Sequence, residues 1–408
     1  MQCRHCKNEL AHTMINLGTS PPSNSYLTEE GLKQPEKFYP LRAMVCEKCW
    51  LVQTDDFVGS GEMFTKDYAY FSSYSTSWLA HAKAYVNMIK DKFGLTVDNM
   101  FVEVAANDGY LLQYIKEAGI PCYGVEPTKS TAEVAREKGI EIFEEFFGLN
   151  FAKQMSGYGK QADFIVANNV LAHVPDINDF VSGFAILLKE NGVVTFEFPH
   201  LQNLIQKNQF DTVYHEHYSY LSLTAVKIIF EANNLQVFDV EELQTHGGSL
   251  RVFAQRFDTG QRLVTERVKG LLIREGKLGM TSLEFYKYLQ ARAEKIKFDL
   301  LTFLLSAKKR NETVVAYGAA AKGNTLLNFS GIGCDLLMAV ADKNPYKTGK
   351  YLPGSRLPIV SPAEMLVLKP DHILILPWNL RDEIRQELEI IRTWGGKFVT
   401  AIPKLEVW

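Results

Sequence analysis

Four of the chain's six cysteines stand as two C-x-x-C pairs, Cys3/Cys6 and Cys46/Cys49. Each pair lets two thiolates meet one ion from a single tight turn, and two such pairs have the spacing of a tetrahedral Cys₄ zinc site. No other feature constrains the fold as strongly, because it ties two distant stretches to one point. Four thiolates fill the coordination shell, so a zinc ion held by Cys3, Cys6, Cys46 and Cys49 is structural rather than catalytic. The segment between the pairs carries Pro21, Pro22 and Pro35 and is expected to be extended rather than helical. So small a segment buries little core, and the metal would supply the missing stability. A redox dithiol is disfavoured, since neither pair follows a strand and precedes a helix. Cys122 and Cys334 are read as small buried hydrophobes.

At 408 residues the chain exceeds one ordinary core, so two or three domains are expected. Hydrophobic residues make 46% and charged residues 22%, the profile of a soluble globular protein. The net charge of −3 argues against a nucleic-acid surface. No apolar run approaches the ~20 residues that cross a bilayer. The first residues do not resemble a signal peptide, so a cytoplasmic location is expected. Nothing points to an obligate protein partner.

The stretch Met100 to Leu112 reads as an apolar strand, a turn of small residues and the start of a helix. Small residues let a ligand approach the backbone, and open α/β sheets bind ligands at such strand ends. A second strand, Cys122 to Val125, ends in Glu126, an acid placed to bind both hydroxyls of a ribose. The turn lacks the G-x-G-x-x-G that lays a pyrophosphate on a helix N-terminus and carries Asp108 instead. A carboxylate there suits a cationic ligand and repels a diphosphate, which favours S-adenosylmethionine over NAD. Strands at 163–167 and 192–197 follow, the first leading into Asn168, Asn169 and His173. Such alternation implies a doubly wound parallel sheet. Its active edge would gather Asp108, Glu126, Asn168, His173 and the dense polar run Tyr214-His215-Glu216-His217, which is costly to bury unless it pairs or does chemistry.

After charged, amphipathic helices at about 260–310, a second strand–turn–helix unit begins at Val314 and passes through Gly318 to Lys322. Strands at 337–342 and 372–376 complete another Rossmann-like unit, the last followed by Pro377, Trp378 and Asn379. Its turn departs from the dinucleotide fingerprint, which makes NAD a weak reading. A backbone turn with Lys322 could cradle a diphosphate; a solvated helix lysine accounts equally for the spacing.

Taken in order, the cysteine knuckles, Glu103 to Gly109, Glu126-Pro127, Asn169 with His173, Tyr214 with Glu216 and His217, and His246-Gly247-Gly248 resemble the sugar C-methyltransferases. These enzymes of deoxysugar biosynthesis act on nucleotide-linked 4-keto-6-deoxysugars, and the resemblance spans essentially the whole chain. It implies an α/β chain with a zinc-binding domain at 1–66, a Rossmann-like S-adenosylmethionine methyltransferase domain at 67–258 and a Rossmann-like substrate-binding domain at 259–408. It implies a donor site of Glu103, Ala105, Asn107, Asp108, Gly109, Glu126, Asn168 and Asn169. His246, Lys322 and Asn379, with His215, are assigned to a substrate linked to dTDP or GDP.

Methylation at carbon needs a carbanion equivalent, which a ketone supplies once a base removes the proton alpha to its carbonyl. A histidine titrates in the right range for that base, and the enolate oxygen needs a donor. The resemblance makes His217 the base, Glu216 its support, Tyr214 and His173 donors, and Tyr68 a cap over the pocket. His215 stands where related enzymes can carry an acid, which leaves the base between two histidines. Carbon 3, beside a 4-keto group, is the natural target. Rival readings are an O- or N-methyltransferase on a similar sugar, an NAD-dependent oxidoreductase, and a non-catalytic zinc-bearing binding protein.

Overall fold

A computed structural model of the chain describes residues 1–55 and 71–408. Tyr68 therefore lies outside the described residues.

The N-terminal part is an antiparallel meander of β1 (His12–Ser20), β2 (Tyr39–Val45) and β3 (Val52–Thr54). The proline-bearing stretch between β1 and β2 is extended apart from one 3-10 turn at Gly31–Lys33. The central part supplies β4 (Phe101–Val104), β5 (Cys122–Val125), β6 (Glu141–Phe143), β7 (Ala162–Asn168) and β8 (Leu188–Pro199), then β9 (Ser219–Tyr220), β10 (Leu235–Leu243) and β11 (Ser249–Arg256). Seven of these form one sheet in the order β10-β11-β8-β7-β4-β5-β6. β4 to β8 run parallel, and β11 lies antiparallel between β8 and β10. Helices cover both faces of the parallel part, so strands such as Phe101–Val104 are buried at every position rather than alternating. The order reverses between β4 and β7, and that crevice is where a doubly wound sheet takes its ligand.

The C-terminal sheet has the order β14-β13-β12-β15-β16-β17. Its strands are β12 (Val314–Tyr317), β13 (Val340–Ala341), β14 (Ile359–Val360), β15 (His372–Ile375), β16 (Lys397–Thr400) and β17 (Glu406–Val407). Only β17 is antiparallel, and the order reverses between β12 and β15. The expected strand at 337–342 shortens to Val340–Ala341. Cys334, expected to be buried, is exposed, and Cys122 is half-buried.

The two-residue strand β9 does not join the central sheet that flanks it in sequence. It pairs with β3, Ser219 opposite Gln53 and Tyr220 opposite Val52, and becomes the fourth strand of the N-terminal sheet. The Thr54 N–H donates to the Tyr218 carbonyl at 3.1 Å and the Thr54 hydroxyl to the His217 carbonyl at 3.0 Å. One hydrophobic cluster joins Cys3, Cys46 and Cys49 to Val104, Ile165 and Phe196 of the central sheet, while another joins β1 and β2 to the C-terminal sheet. The stretch between β1 and β2 straps the C-terminal unit. Leu27 pairs with Tyr351, Glu36 bridges Arg356 at 2.7 Å, and the Tyr26 hydroxyl donates to the Ala319 carbonyl at 2.7 Å.

Thr54→Val keeps the β-branched strand residue and removes the donor to the His217 carbonyl. It is expected to destabilise the fold by about 1 kcal/mol. A urea unfolding curve with an unshifted first transition would show that this contact contributes nothing.

Candidate active site and metal centre

The two cysteine turns are built alike. The Lys7 N–H donates to the Cys3 carbonyl at 3.0 Å and the Cys3 N–H to the Asn8 carbonyl at 2.8 Å; Trp50, Cys46 and Leu51 repeat this pattern at 2.9 and 3.0 Å. Lys7 (φ 60°) and Trp50 (φ 62°) both hold the left-handed conformation just after their pairs, a strain that a metal at the turn can hold in place. Cys3 and Cys49 Sγ lie 3.5 Å apart, as do Cys6 and Cys46, and all four sulfurs fall within 4.8 Å of one another. Zinc–sulfur bonds of about 2.3 Å set tetrahedral edges of roughly 3.8 Å, so this donor set fits zinc with no position left for a substrate.

Residues inside the first turn reach the central part directly. The Arg4 guanidinium donates to the carbonyls of Thr54 (2.8 Å) and Pro175 (3.1 Å) and lies over the Tyr218 ring. His5 and Asn178 bond each other twice, ring nitrogen to amide oxygen at 2.7 Å and amide to His5 carbonyl at 2.9 Å.

After β4 the chain turns through Ala105 (φ 60°), Asn107 (φ 49°) and Gly109 (φ 74°), alternate residues that all take the conformation glycine prefers. Gly124 makes this turn possible from the β5 side, because a Cβ there would meet Ile142 Cδ1 at 2.5 Å and Ala106 Cβ at 2.6 Å. Glu126 accepts from the N–H groups of Asn107 and Thr128, both at 2.9 Å, so each oxygen keeps capacity for a ribose hydroxyl. Burial raises the Glu126 carboxyl above its usual range and Glu103, wholly buried beneath the turn, well above. Buried carboxyls of this kind ionise readily when a cation arrives. Asp108 Oδ1, Asn168 Oδ1 and Asn169 Oδ1 are buried and have no hydrogen-bond partner among the described residues. These vacant acceptors, with the open turn, fit the amine, sulfonium and ribose of S-adenosylmethionine. Part of the turn serves another purpose: Asn107 and Asp108 side chains accept from the Ser72 and Ser73 N–H groups at 2.9 and 3.1 Å.

Beyond the end of β8 the polar run divides. His217 is half-buried; its Nδ1–H donates to the Thr212 carbonyl at 2.9 Å, which leaves Nε2 as the acceptor for the Tyr214 hydroxyl at 2.8 Å. Its ring meets that of His173 edge-on at 4.6 Å. Burial first, then His173, holds the His217 imidazole well below its ordinary range, and burial holds His173 down to about 4. Glu216 is not the support expected for His217. Consecutive side chains in this stretch diverge, and the Glu216 carboxylate turns to Asn24, whose amide donates at 3.1 Å. His215 also faces away, bonded to the Pro40 carbonyl at 3.2 Å and edge-on to Tyr39, so the N-terminal sheet occupies it. The structure thus separates the two histidines, leaving His217 beside His173.

The C-terminal sheet closes the other side. The Lys322 ammonium bonds Asn379 Oδ1 at 2.9 Å and sits 4.7 Å from the Trp378 ring centre. Trp378 donates its indole N–H to Asp211 Oδ2 at 2.8 Å. Asp211 is fully buried, and burial pushes its carboxyl up to about 7. His246, in the left-handed conformation (φ 52°), lies 3.4 Å from the Asn169 amide and against Trp78. Gly247 has room for no side chain, since a Cβ would stand 2.4 Å from Trp378.

Sequence reading missed Asp211, Trp78, the bond between Trp378 and Asp211, and a network on Glu197. That carboxylate accepts from His81 (2.9 Å), Arg251 (2.8 Å) and Thr245 (2.8 Å), which together overcome burial and hold it down to about 2. Only the strand-end position of Glu197 could have flagged it.

A doubly wound sheet with one antiparallel strand wedged next to its edge, a left-handed turn after β4 and an acid after β5 define an S-adenosylmethionine-dependent methyltransferase with a structural zinc module. Residues 3–64 match the family described as "Putative zinc binding domain", 82–240 "Methyltransferase domain" and 244–403 "C-methyltransferase C-terminal domain". C-methyltransferase NovU of Streptomyces niveus is 31% identical over 406 residues, all of this chain and 96% of that protein. The chain belongs to this C-methyltransferase family. A ubiquinone biosynthesis O-methyltransferase of Histophilus somni is 32% identical over 113 residues, 25% of this chain and 45% of its own. Among solved structures, the magnesium protoporphyrin IX methyltransferase of Synechocystis with bound SAM aligns at 15% identity and TM-score 0.34, over 44% of this chain and 79% of its own. No helix among the described residues is long and apolar enough to cross a membrane.

Cys46→Ser is expected to lower bound zinc, measured by elemental analysis, and to lower the melting temperature. Full zinc content with unaltered melting would remove the structural role of the metal.

Proposed function

We propose that the chain methylates carbon 3 of a 4-keto-6-deoxysugar linked to dTDP or GDP, with His217 as the base that forms the enolate. The observation that carries this reading is the His217 tautomer. With Nδ1–H given to the Thr212 carbonyl, Nε2 is the basic nitrogen, and its neighbours are the Tyr214 hydroxyl and the His173 ring. S-adenosylmethionine supplies an electrophilic methyl group when bound. Glu126 would hold the ribose, while Asp108, Asn168 and Asn169 would hold the cationic end, with Glu103 beneath the turn. Tyr214, now on Nε2, would turn its hydroxyl to the enolate oxygen as the base takes the proton. His173 and His246 would border the sugar, and Asn379 its linkage. Glu216 and His215 would hold the segment in place against the N-terminal sheet. Tyr68 keeps its proposed role as a cap. The same reading divides the chain into residues 1–66, 67–258 and 259–408.

The strand-end acid of the C-terminal unit is engaged within the chain, one of its oxygens twice. Asp342, the acid that would engage a ribose, accepts from the N–H groups of Ala319 and Asn344, both at 2.8 Å, and from Lys347 at 3.4 Å.

His217→Ala should reduce methyl transfer at least 100-fold while S-adenosylmethionine still binds, a loss in the range expected for a general base. Near-normal turnover would dismiss His217. Without the donor, the wild-type protein should exchange the carbon 3 proton of the keto-sugar for deuterium, followed by NMR. Exchange would exclude a simple O- or N-methyltransferase. The neutral imidazole is the basic form, and its lowered pKa keeps it available in mild acid. The acid limb of the exchange rate should therefore fall below pH 6.5. A limb above that value would assign the proton transfer to another group.

A further inference from the structure

Lys322 opens the helix Ala321–Ser330 behind β12, yet its side chain runs into the cleft. Its direct partners are neutral, the Asn379 carboxamide and the face of Trp378. Among the described residues it forms no salt bridge; its carboxylate neighbour, Asp211, already accepts from the Trp378 N–H. Asp211 immediately precedes Thr212, whose carbonyl holds His217, so the lysine and the proposed base share one support. The alternative use, a diphosphate cradle, finds the backbone turn closed. A Cβ on Gly318 would meet Pro377 Cδ at 2.4 Å, and the Ala319 N–H is given to Asp342.

We propose that the Lys322 ammonium is the cation that holds the enolate oxygen, with Asn379 and Trp378 fixing its place and Asp211 positioning it through Trp378. This rests on the enolate reading above. The C3–H bond breaks, and its proton goes to His217 Nε2. The electron pair forms C3=C4 as the carbonyl pair moves onto oxygen, which Lys322 faces without giving up a proton. On methylation the C3=C4 pair forms the new C3–C bond, C4=O is restored, and the methyl–sulfur bond breaks to leave a neutral thioether. Burial disfavours the charged forms of His173 and His246, and His217 becomes charged only as it takes the proton; burial lowers Lys322 as well, opposed by the Asp211 carboxylate. An ammonium fixed beforehand on an indole and a carboxamide needs no rearrangement when the oxygen becomes negative.

The test uses Lys322→Met in the full-length zinc-loaded protein with a 4-keto sugar nucleotide. Carbon 3 deuterium exchange and kcat should fall on the order of 100- to 1000-fold. KM for the keto-sugar and the Kd for dTDP or GDP should change less than threefold, and S-adenosylmethionine should still bind. Ethylammonium added to Lys322→Ala should restore part of the exchange. A rise in KM and nucleotide Kd with saturated exchange unchanged would place Lys322 on the diphosphate and overturn the proposal. Absence of exchange and of 4-keto dependence in the wild-type protein would instead overturn the enolate reading itself. Should Lys322→Met fail to fold, Asp211→Asn gives a second readout. It should lower exchange while leaving KM near wild type, and unchanged exchange would remove the positioning role.

Discussion

One imidazole held between a backbone carbonyl and a phenol sets the terms for the whole assembly. The Thr212 carbonyl can fix His217 only if the segment around it cannot shift, and that segment has little regular structure of its own. It is held from three directions: Phe210 and Asp211 are buried against the C-terminal unit, Tyr218 lies under Arg4, and β9 is paired with β3. Two of these supports come from the N-terminal unit and one from the C-terminal unit.

Around that imidazole the protein keeps unusual company. Histidines whose charge burial disfavours, a lysine with no salt bridge among the described residues and a buried acid lie near one another, while Glu197 is paired with Arg251 and His81. Several residues there, Ala105, Asn107, Asn169 and His246, hold a left-handed backbone. For a residue such as alanine this conformation costs about 1–2 kcal/mol relative to the right-handed one. Other left-handed residues lie elsewhere, Lys7 and Trp50 at the zinc turns among them, but alternate ones in a single strand-end turn, Ala105 and Asn107, fit a loop shaped for a ligand.

The parallel strands around the donor turn were legible because burial on both faces writes them as apolar runs, as in Phe101–Val104 and Ala162–Asn168. The cysteine turns were legible because metal ligands need a fixed spacing. What escaped was set by partners far off in sequence. Nothing in Tyr214-His215-Glu216-His217 says which side chains face inward; the answer comes from Asn24, Pro40 and Thr212. Likewise Lys322 read as a member of a phosphate turn, while Trp378 and Asp211 decide where its charge lies. The antiparallel strands β10 and β11, half-polar and bent by a register shift, carried a weaker pattern than their parallel neighbours.

The pairing of β3 with β9 also dictates an order of events. During synthesis the zinc turns and β1 to β3 emerge long before Ser219 and Tyr220. Until those two residues arrive, the N-terminal sheet waits with an open edge, and open edges invite pairing with other chains. Only when the central part is nearly complete does its own strand cap that edge, and the same step brings His217 to its place. Closing that edge and seating His217 are thus coupled through one short segment.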